Sequence, residues 1–539
     1  MNDQRAQVLI VGAGGAGLTL SLLLLQQGIR PVLVDRRDAI SVYPRARNLN
    51  FRTLEVMRGL GLGAEIRAVG TRMSRAIFKE RLVSKEEKTI DPTEQIALPP
   101  GLSPDTYVSY CPQSRFEPVL LAAAKERGAD VRYRTSLVRF EQGNGGVTAT
   151  LEDRAAGGSC TLRADYLVAA DGAHSRIRQT LGIRTAGWGE LPEYFAFIYF
   201  RGPWKELLVG RSSDAFVIKN RDVEGFFLAA DGDLGMFLVN YRPKRGESRE
   251  DFGAERCREL VLKGLGTLDM PIEIVDIAHW RPAESVAEEF QKGRVFLVGD
   301  AAHTMPAYKG LGVNTAIQSA QNLAWKLAAV LRGQAGKELL ATYHTERHPV
   351  GQFAAHQSLT GPGAAWIAED VKAVSLSHDE DLPMFYPIVG YRYRSNAIVS
   401  EDDAAPVRGD VALLARQELT GIPGSRVPHL WLDQRGQRIS TLDLLDGRFV
   451  LLAGSEGGKW LEAASSASIE VAAYRVGPDA DLVDIERGWS AKMGVTAQGA
   501  ILIRPDGFVA WRSVALPNAP GAVLASVISQ VLCKGRERS

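Results

Sequence analysis

The sequence predicts an α/β chain: a Rossmann-like dinucleotide-binding domain, an inserted domain of mixed strands, and a small C-terminal α/β module. Three observations lead there. Residues 8–35 read as strand, glycine turn, helix, strand. Residues 194–280 are a series of apolar runs cut by Gly, Asp and Arg turns. Residues 429–533 carry their own strand, turn and helix periodicity.

The glycine turn organises the rest. Residues 8–11 are β-branched and apolar, and Gly12-Ala13-Gly14-Gly15-Ala16-Gly17 is G-x-G-x-x-G. An apolar helical run follows over 18–25, Gly28 stops it, and 32–34 is a second buried strand ending in Asp35. Gly12 permits the tight turn, Gly14 lets backbone approach a pyrophosphate, and Gly17 lets the helix sit close to the sheet. The pyrophosphate then rests on the positive end of the helix. Asp35 is placed to accept hydrogen bonds from an adenosine ribose. It disfavours a 2′-phosphate, so the site is for FAD or NAD rather than NADP.

Composition bounds the remaining classes. The chain has 539 residues, 45% hydrophobic and 24% charged, enough for roughly two to four domains. A net charge of +1 gives no argument for nucleic acid. Cys111, Cys160, Cys257 and Cys533 are too widely spaced for a metal cluster, and a disulfide framework is not expected. The chain enters its first strand without a signal-peptide core. Two charge-free runs, 6–29 and 513–533, are broken by the glycine turn and by prolines with Gly521, so neither reads as a membrane span. A cytoplasmic protein is expected.

After Asp35 come Arg36 and Arg37, then Pro44-Arg45-Ala46-Arg47-Asn48-Leu49-Asn50-Phe51-Arg52. This is either a solvated loop or one returning toward the cofactor with an arginine facing it. A short helix is expected over 53–60, and a strand-like excursion from the first domain over 72–95, with a strand at 74–78. A helix starts at Gln113 and ends at Gly128. Short alternating strands follow at 131–135, 137–140, 146–152 and 159–164. A buried strand at 166–169 runs into Asp171-Gly172, a loop at the sheet's ligand edge. In 194–280 one sheet face must pack, and the other is free to wall an apolar cavity; a helix interrupts it at 249–262. Another buried strand, 295–298, leads to Gly299-Asp300. Gly310 and Gly312 would let backbone lie under a flat ligand, and the helix beginning near Asn314 would point free N–H groups at it. Residues 406–428 join this part to the C-terminal module. There, strands are expected at 449–452, 470–474 and 500–503, a tight turn at Asp506-Gly507, and a closing helix over 520–532. The module holds only Cys533 and has no C-x-x-C, so it cannot run dithiol chemistry.

The three spaced signatures together resemble the class A flavoprotein aromatic hydroxylases, the single-component FAD monooxygenases. The stretches AADGAHSRIRQTLGI, GRVFLVGDAAHTMPAYKGLGVNTAIQSAQNLAWKL and ILIRPDGFVAWR carry the likeness. They point to the branch acting on polyketide-derived polycyclic aromatics, as in antibiotic biosynthesis, with a phenol-hydroxylase-like C-terminal domain. The resemblance implies an FAD-binding domain over 1–72, 104–182 and 285–365, and a substrate domain over 73–103 and 183–284. A connection over 366–428 and a thioredoxin-like domain without its cysteines over 429–539 complete the division. It implies that Gly12, Gly14, Gly15, Ala16, Gly17, Asp35 and Arg36 hold the AMP end of FAD, that Arg45 lies near the flavin, and that Gln113 opens a helix against FAD. Asp171 is then the D-G aspartate linked to FAD and NAD(P)H. Asp300 is the aspartate at the ribityl and pyrophosphate region. Pro306, Gly310, Gly312, Val313 and Asn314 form the loop beneath the isoalloxazine. Two departures stand out: Ala307-Tyr308-Lys309 where the family has T-G, which adds charge and bulk near the expected ring, and Ser319 where it has aspartate. No metal and no catalytic side chain is assigned, and His303 and His174 read as local packing or turn residues.

The implied reaction is NADPH- or NADH- and O2-dependent hydroxylation of a polycyclic phenol or quinone through a flavin C4a-hydroperoxide, by a monomer or homodimer. Baeyer–Villiger or epoxidising oxygen insertion on a similar substrate is the alternative within this fold. A non-catalytic flavin-binding protein is the alternative outside it.

Overall fold

The computed structural model describes residues 3–41, 48–72, 75–90, 101–104, 109–211, 215–229, 232–243, 246–361, 380–400, 407–408 and 411–534. Its first core is a parallel sheet. Strands β1 (Asp3–Val11), β2 (Val32–Val34), β3 (Asp130–Arg132), β4 (Ser159–Ala169) and β5 (Val295–Leu297) lie in the order β5-β4-β1-β2-β3. Val8, Leu9 and Ile10 of β1 are wholly buried, packed in one core with the helices and with the strands at 135–153. The helices that matter for the site are α1 (Gly15–Gln26), α2 (Phe51–Gly59), α3 (Gln113–Glu126), α4 (Gly312–Leu331) and α5 (Ala341–Gln357). Helix α1 packs along both α3 and α4.

Several boundaries differ from the sequence reading. The segments expected at 159–164 and 166–169 are one eleven-residue strand, β4. Its first half alternates because a hairpin flanks it at the sheet's edge, and its second half is buried on both faces. Two patterns in one strand read as two strands. The helix expected over 315–331 is α4, which starts at Gly312. The helix expected over 249–262 is a 3-10 turn, Arg249–Asp251, and a separate helix, Ala254–Leu265, divided at Gly253.

The second core is a seven-stranded mixed sheet. Its order is Glu273–Trp280, Tyr194–Arg201, Leu234–Tyr241, Glu224–Ala229, Ala215–Lys219, Ala76–Lys79, Lys88–Ile90. The excursion after α2 therefore supplies the last two strands at one end of the sheet, the inner one parallel to Ala215–Lys219. Ala196, Ile198, Phe200, Phe227 and Phe237 face the helix Ala254–Leu265. The opposite face gathers Phe197, Tyr199, Phe226, Leu228 and Met236. A small sheet of Thr185–Glu190, Ala283–Ala287 and His303–Thr304 links the two cores.

The C-terminal part builds a four-stranded sheet, Val471–Val476, Phe449–Gly454, Ala500–Ile503 and Val509–Ser513 in that order, with helices Gly458–Ser465 and Pro520–Val531 packed together on it. It is fastened to the first core. The Arg58 guanidinium pairs with Asp443, and the Gln27 amide donates to the Gly447 carbonyl. Residues 504–507 enter the first core itself. Arg504 places two nitrogens on Glu346 of α5, at 2.6 and 2.9 Å, and also pairs with Asp506. Lys326 of α4 reaches Glu346 at 2.8 Å, and Asn322 bridges Glu346 and Asp506. All four charged side chains are at most 1% exposed. Burial alone would raise the Glu346 carboxyl, but Arg504 and Lys326 outweigh it and hold it below the usual carboxylate range. Among the described residues no helix is long and apolar enough to cross a membrane.

Candidate functional site

The C-terminal ends of β1, β2, β4 and β5 are joined by backbone. Gly12 N–H donates to Val34 O at 2.8 Å, Ala170 N–H to Val11 O at 2.8 Å, and Val298 N–H to Ala169 O at 2.9 Å. The glycine turn, the Asp171 loop and the Gly299-Asp300 loop therefore open on one edge, where a parallel sheet places its ligands. Gly12 sits at φ +113°, and a Cβ there would lie 2.1 Å from Ala170 O. A Cβ on Gly17 would lie 1.9 Å from Gly12 O, so helix and turn touch backbone to backbone. Gly14 is different: a Cβ would meet only Glu117 Oε1, at 3.5 Å.

The two helix N-termini converge. A Cβ on Gly15 would come within 3.2 Å of Val313, and one on Gly299 within 3.2 Å of Ala16. Neither α1 nor α4 has a side-chain N-cap, so their first N–H groups keep their donor capacity. Asp300 is exposed, and the protein packed around it pushes its carboxyl upward. Asp171 accepts from the Ile177 N–H at 3.3 Å, and its Oδ1 has no protein partner. Burial pushes its carboxyl upward against those hydrogen bonds. Two uncapped helix starts, a turn open at Gly14 and an orphan carboxylate oxygen form a donor and acceptor set that fits a dinucleotide such as FAD.

Not every anticipated side chain points at such a ligand. Asp35 accepts from Ala13 N–H at 2.7 Å and from Arg37 through its backbone and both ends of its guanidinium, at 2.8 to 3.0 Å. Burial would raise Asp35, but Arg37 outweighs it and holds the carboxyl low. A ribose would share this carboxylate with Arg37. The Gln113 amide donates to Glu117 at 2.6 Å. Glu117 is fully buried beside the glycine turn, with burial pushing its carboxyl up to about 7. Arg36 is exposed. Arg45 lies outside the described residues. Pro306 is buried and caps the 3-10 turn Ala307–Lys309, and Gly310 follows in the left-handed region at φ +62°. Asn314 is 1% exposed and spends its whole side chain on protein. Its Oδ1 accepts from Asn50 N–H at 2.9 Å and Thr53 Oγ1 at 2.7 Å, while its Nδ2 donates to Asn48 O and Gly310 O. It shapes the loop and leaves only backbone for a ligand.

The two departures also resolve. Lys309 Nζ donates to Thr360 Oγ1 at 2.7 Å and pairs with Asp381 at 2.5 Å, so its charge is matched. Tyr308 donates to Glu193 at 2.5 Å, tying the loop to the residue just before the strand Tyr194–Arg201 of the second sheet. Ser319 accepts from Arg347 Nε at 3.1 Å and lies 3.2 Å from His303 Nε2. Sequence reading missed Arg37, Glu117 and also Arg178, whose guanidinium bridges Ala301 O and Ala173 O and so joins the two aspartate loops. Glu117 alone left a signal, four residues after Gln113 on one helix face.

His303 is wholly buried, and burial together with Arg347 holds its imidazole neutral, with a pKa down at about 3. The unfolded chain takes a proton there near pH 6.5, so this term weakens the fold as the pH falls. By pH 5 it costs about 2 kcal/mol. His303→Gln should therefore lose about 2 kcal/mol less than the wild type between pH 7.5 and pH 5, read by urea denaturation at the two pH values.

Comparison with known proteins decides the family. Residues 5–358 match the family model described as "FAD binding domain", and residues 420–534 the one described as "Aromatic-ring hydroxylase, C-terminal". The chain belongs to the FAD-dependent aromatic-ring hydroxylases. The hydroxylase is 37% identical over 549 residues to a 4-methyl-5-nitrocatechol 5-monooxygenase from Burkholderia sp, covering 99% of this chain and 98% of the relative. It is 36% identical to an aklavinone 12-hydroxylase from Streptomyces purpurascens, covering 99% and 100%. Among solved structures, aklavinone-11 hydroxylase in ternary complex with FAD and aklavinone superposes with a TM-score of 0.87 at 35% identity, over 99% of this chain and 100% of the other. The protein is thus an FAD-dependent monooxygenase.

Proposed function

We propose that this hydroxylase adds a hydroxyl group to an electron-rich ring of a polycyclic phenol or quinone of polyketide type, using NADPH or NADH and O2. The observation that carries the substrate class is the face of the second sheet opposite the helix Ala254–Leu265. Phe197, Tyr199, Phe226, Leu228 and Met236 form an aromatic and sulfur-bearing wall, suited to a flat apolar ring system. The Tyr308–Glu193 hydrogen bond brings the loop 306–314 to the start of that wall. The relatives acting on aklavinone support the same reading.

Bound FAD, once reduced, would supply an electrophilic oxygen from O2. The chain's own residues bind, orient and exclude water. In this reading Gly12, Gly14, Gly15, Ala16 and Gly17 present the α1 terminus to the pyrophosphate. Asp35 and Arg37 hold the adenosine end, and Asp300 the ribityl region. Pro306, Gly310, Gly312, Val313 and Asn314 support the ring, with the α4 N–H groups stabilising negative charge that develops on it. Asp171 with Gly172 borders the nicotinamide approach. The C-terminal module reads as thioredoxin-like, supported by the parallel pair Phe449–Gly454 and Val471–Val476 joined through Gly458–Ser465, then a hairpin and a final helix.

The test is NADPH and NADH oxidation by purified protein against a substituted catechol, tricyclic phenols and tetracyclic quinones, with H2O2 followed in parallel. Coupled turnover with a polycyclic substrate, and product heavier by one labelled oxygen with its carbon skeleton intact, is expected. Coupled turnover with the single-ring catechol alone would overturn the substrate class. A cleaved skeleton would favour Baeyer–Villiger insertion.

A further inference from the structure

The turn at 504–507 belongs to the C-terminal domain, yet its contacts lead to the flavin loop. The Asp506 carbonyl accepts from Arg52 Nη2 at 2.7 Å, and the same nitrogen reaches Gln321 of α4 at 2.8 Å. Arg52 is 2% exposed, lies 5.7 Å over the Phe508 ring, and pairs with Glu55 at 3.0 Å. Glu55 faces Arg426 of the C-terminal part at 3.5 Å. Helix α2 is gripped at its far end too, by Arg58 on Asp443.

Arg52 stands in the first turn of α2, two residues after its N-cap. That cap is Asn50, whose side chain accepts from Thr53 N–H at 3.0 Å. The Asn50 N–H and the Thr53 hydroxyl are the two groups that hold Asn314 Oδ1, while Asn314 Nδ2 holds Gly310. On the other side, Asn322 of α4 donates to the Asp506 carboxylate at 3.1 Å. One turn of the C-terminal domain therefore fixes both helices, α2 and α4, whose first turns form the loop around Asn314 and Gly310.

We propose that the 504–507 turn and Arg52 are positioning elements for the flavin loop, so that the C-terminal domain sets how the hydroxylase holds FAD. The inference rests on reading residues 306–314 as flavin-binding.

Gly507 sits at φ +80°, and a Cβ there would come within 3.0 Å of Leu445 and 3.6 Å of Arg52 Nη2. Gly507→Ala should therefore push the Asp506 carbonyl away from Arg52. Gly507→Ala and Arg52→Met are each expected to raise the FAD dissociation constant about tenfold and to increase the share of NADPH electrons lost as H2O2. The double variant should be no worse than the more affected single one, because both break one path. Arg52→Lys should recover part of the loss. Leu482→Ala, in a core cluster drawn only from residues 427–509, serves as the control: it should lower the urea midpoint and leave FAD affinity and coupling unchanged. Gly507→Ala with a lowered midpoint but wild-type FAD affinity would overturn the proposal, as would additive effects in the double variant. Asn314→Ala separates the underlying reading. If it binds FAD as the wild type does, the loop assignment itself falls. If it weakens FAD while Gly507→Ala does not, only the positioning role falls.

Discussion

Replacing Gly17 by alanine is expected to yield colourless protein. The added Cβ would stand 1.9 Å from Gly12 O, a backbone atom with no rotamer to retreat into. Either α1 moves off the sheet or the turn opens, and both displace the N–H groups offered to the pyrophosphate. A shift on the order of 1 Å in such a cradle costs roughly a hundredfold or more in a geometry-dependent process. The ratio of flavin to protein absorbance after purification, and calorimetric titration with FAD, measure it. Gly14→Ala is the informative companion. Its Cβ meets only Glu117 Oε1 at 3.5 Å, so the protein alone accommodates it. Wild-type stability with weakened FAD binding at Gly14 would then report the close approach of the ligand itself. Unchanged FAD content in Gly17→Ala would refute the assignment of the cradle.

The second large effect is expected at Glu346. Glu346→Gln leaves Lys326 and Arg504 in the core facing only Asp506 across the network, where all three carboxylate and cationic side chains are at most 1% exposed. Breaking a buried ion network by removing one partner costs about 3–5 kcal/mol. The sign of the pH dependence identifies the cause. In the wild type, burial opposed by Glu346 leaves Lys326 with a pKa lowered to about 8. Without Glu346 it falls further, so folding of the variant expels a proton from Lys326 over a pH range where the wild type keeps it. A folded state that binds fewer protons than the unfolded chain gains stability as the pH rises. The variant's deficit should accordingly shrink from pH 6 to pH 8 and change little above that. A deficit constant across this window would assign the loss to packing instead.

What could be read from the sequence follows the range of the forces involved. The glycine turn was legible because strand, turn and helix are contiguous, and steric demands at Gly12 and Gly17 leave one residue type. The buried strands ending in Asp171 and Asp300 were legible for the same reason: continuous apolar runs ended by polar loops. The partners of those residues were not. Arg37 closing on Asp35 is a choice between neighbours that a pattern cannot rank. The Arg178 bridge between two loops spans 123 residues. Lys309 was anticipated as bulk near the ring, and its pairing with Asp381 depends on a segment 72 residues later. Strand β4 was cut in two because its halves obey different burial rules. A strand was anticipated at 74–78 and is found at Ala76–Lys79, but its place beside Ala215–Lys219 is a long-range pairing without a local signature.

The deep insertion of the 504–507 turn has a consequence for biosynthesis. Glu346 and Arg504 are 158 residues apart in the chain, so the FAD-binding half leaves the ribosome long before the arginine that completes its interior. At ordinary translation rates the delay is on the order of ten to thirty seconds. Through that interval the nascent half carries a core acid and lysine awaiting the other two charges. Completion of the buried network therefore waits for residues 504–506, and chains truncated before residue 504 lack two of its four charges.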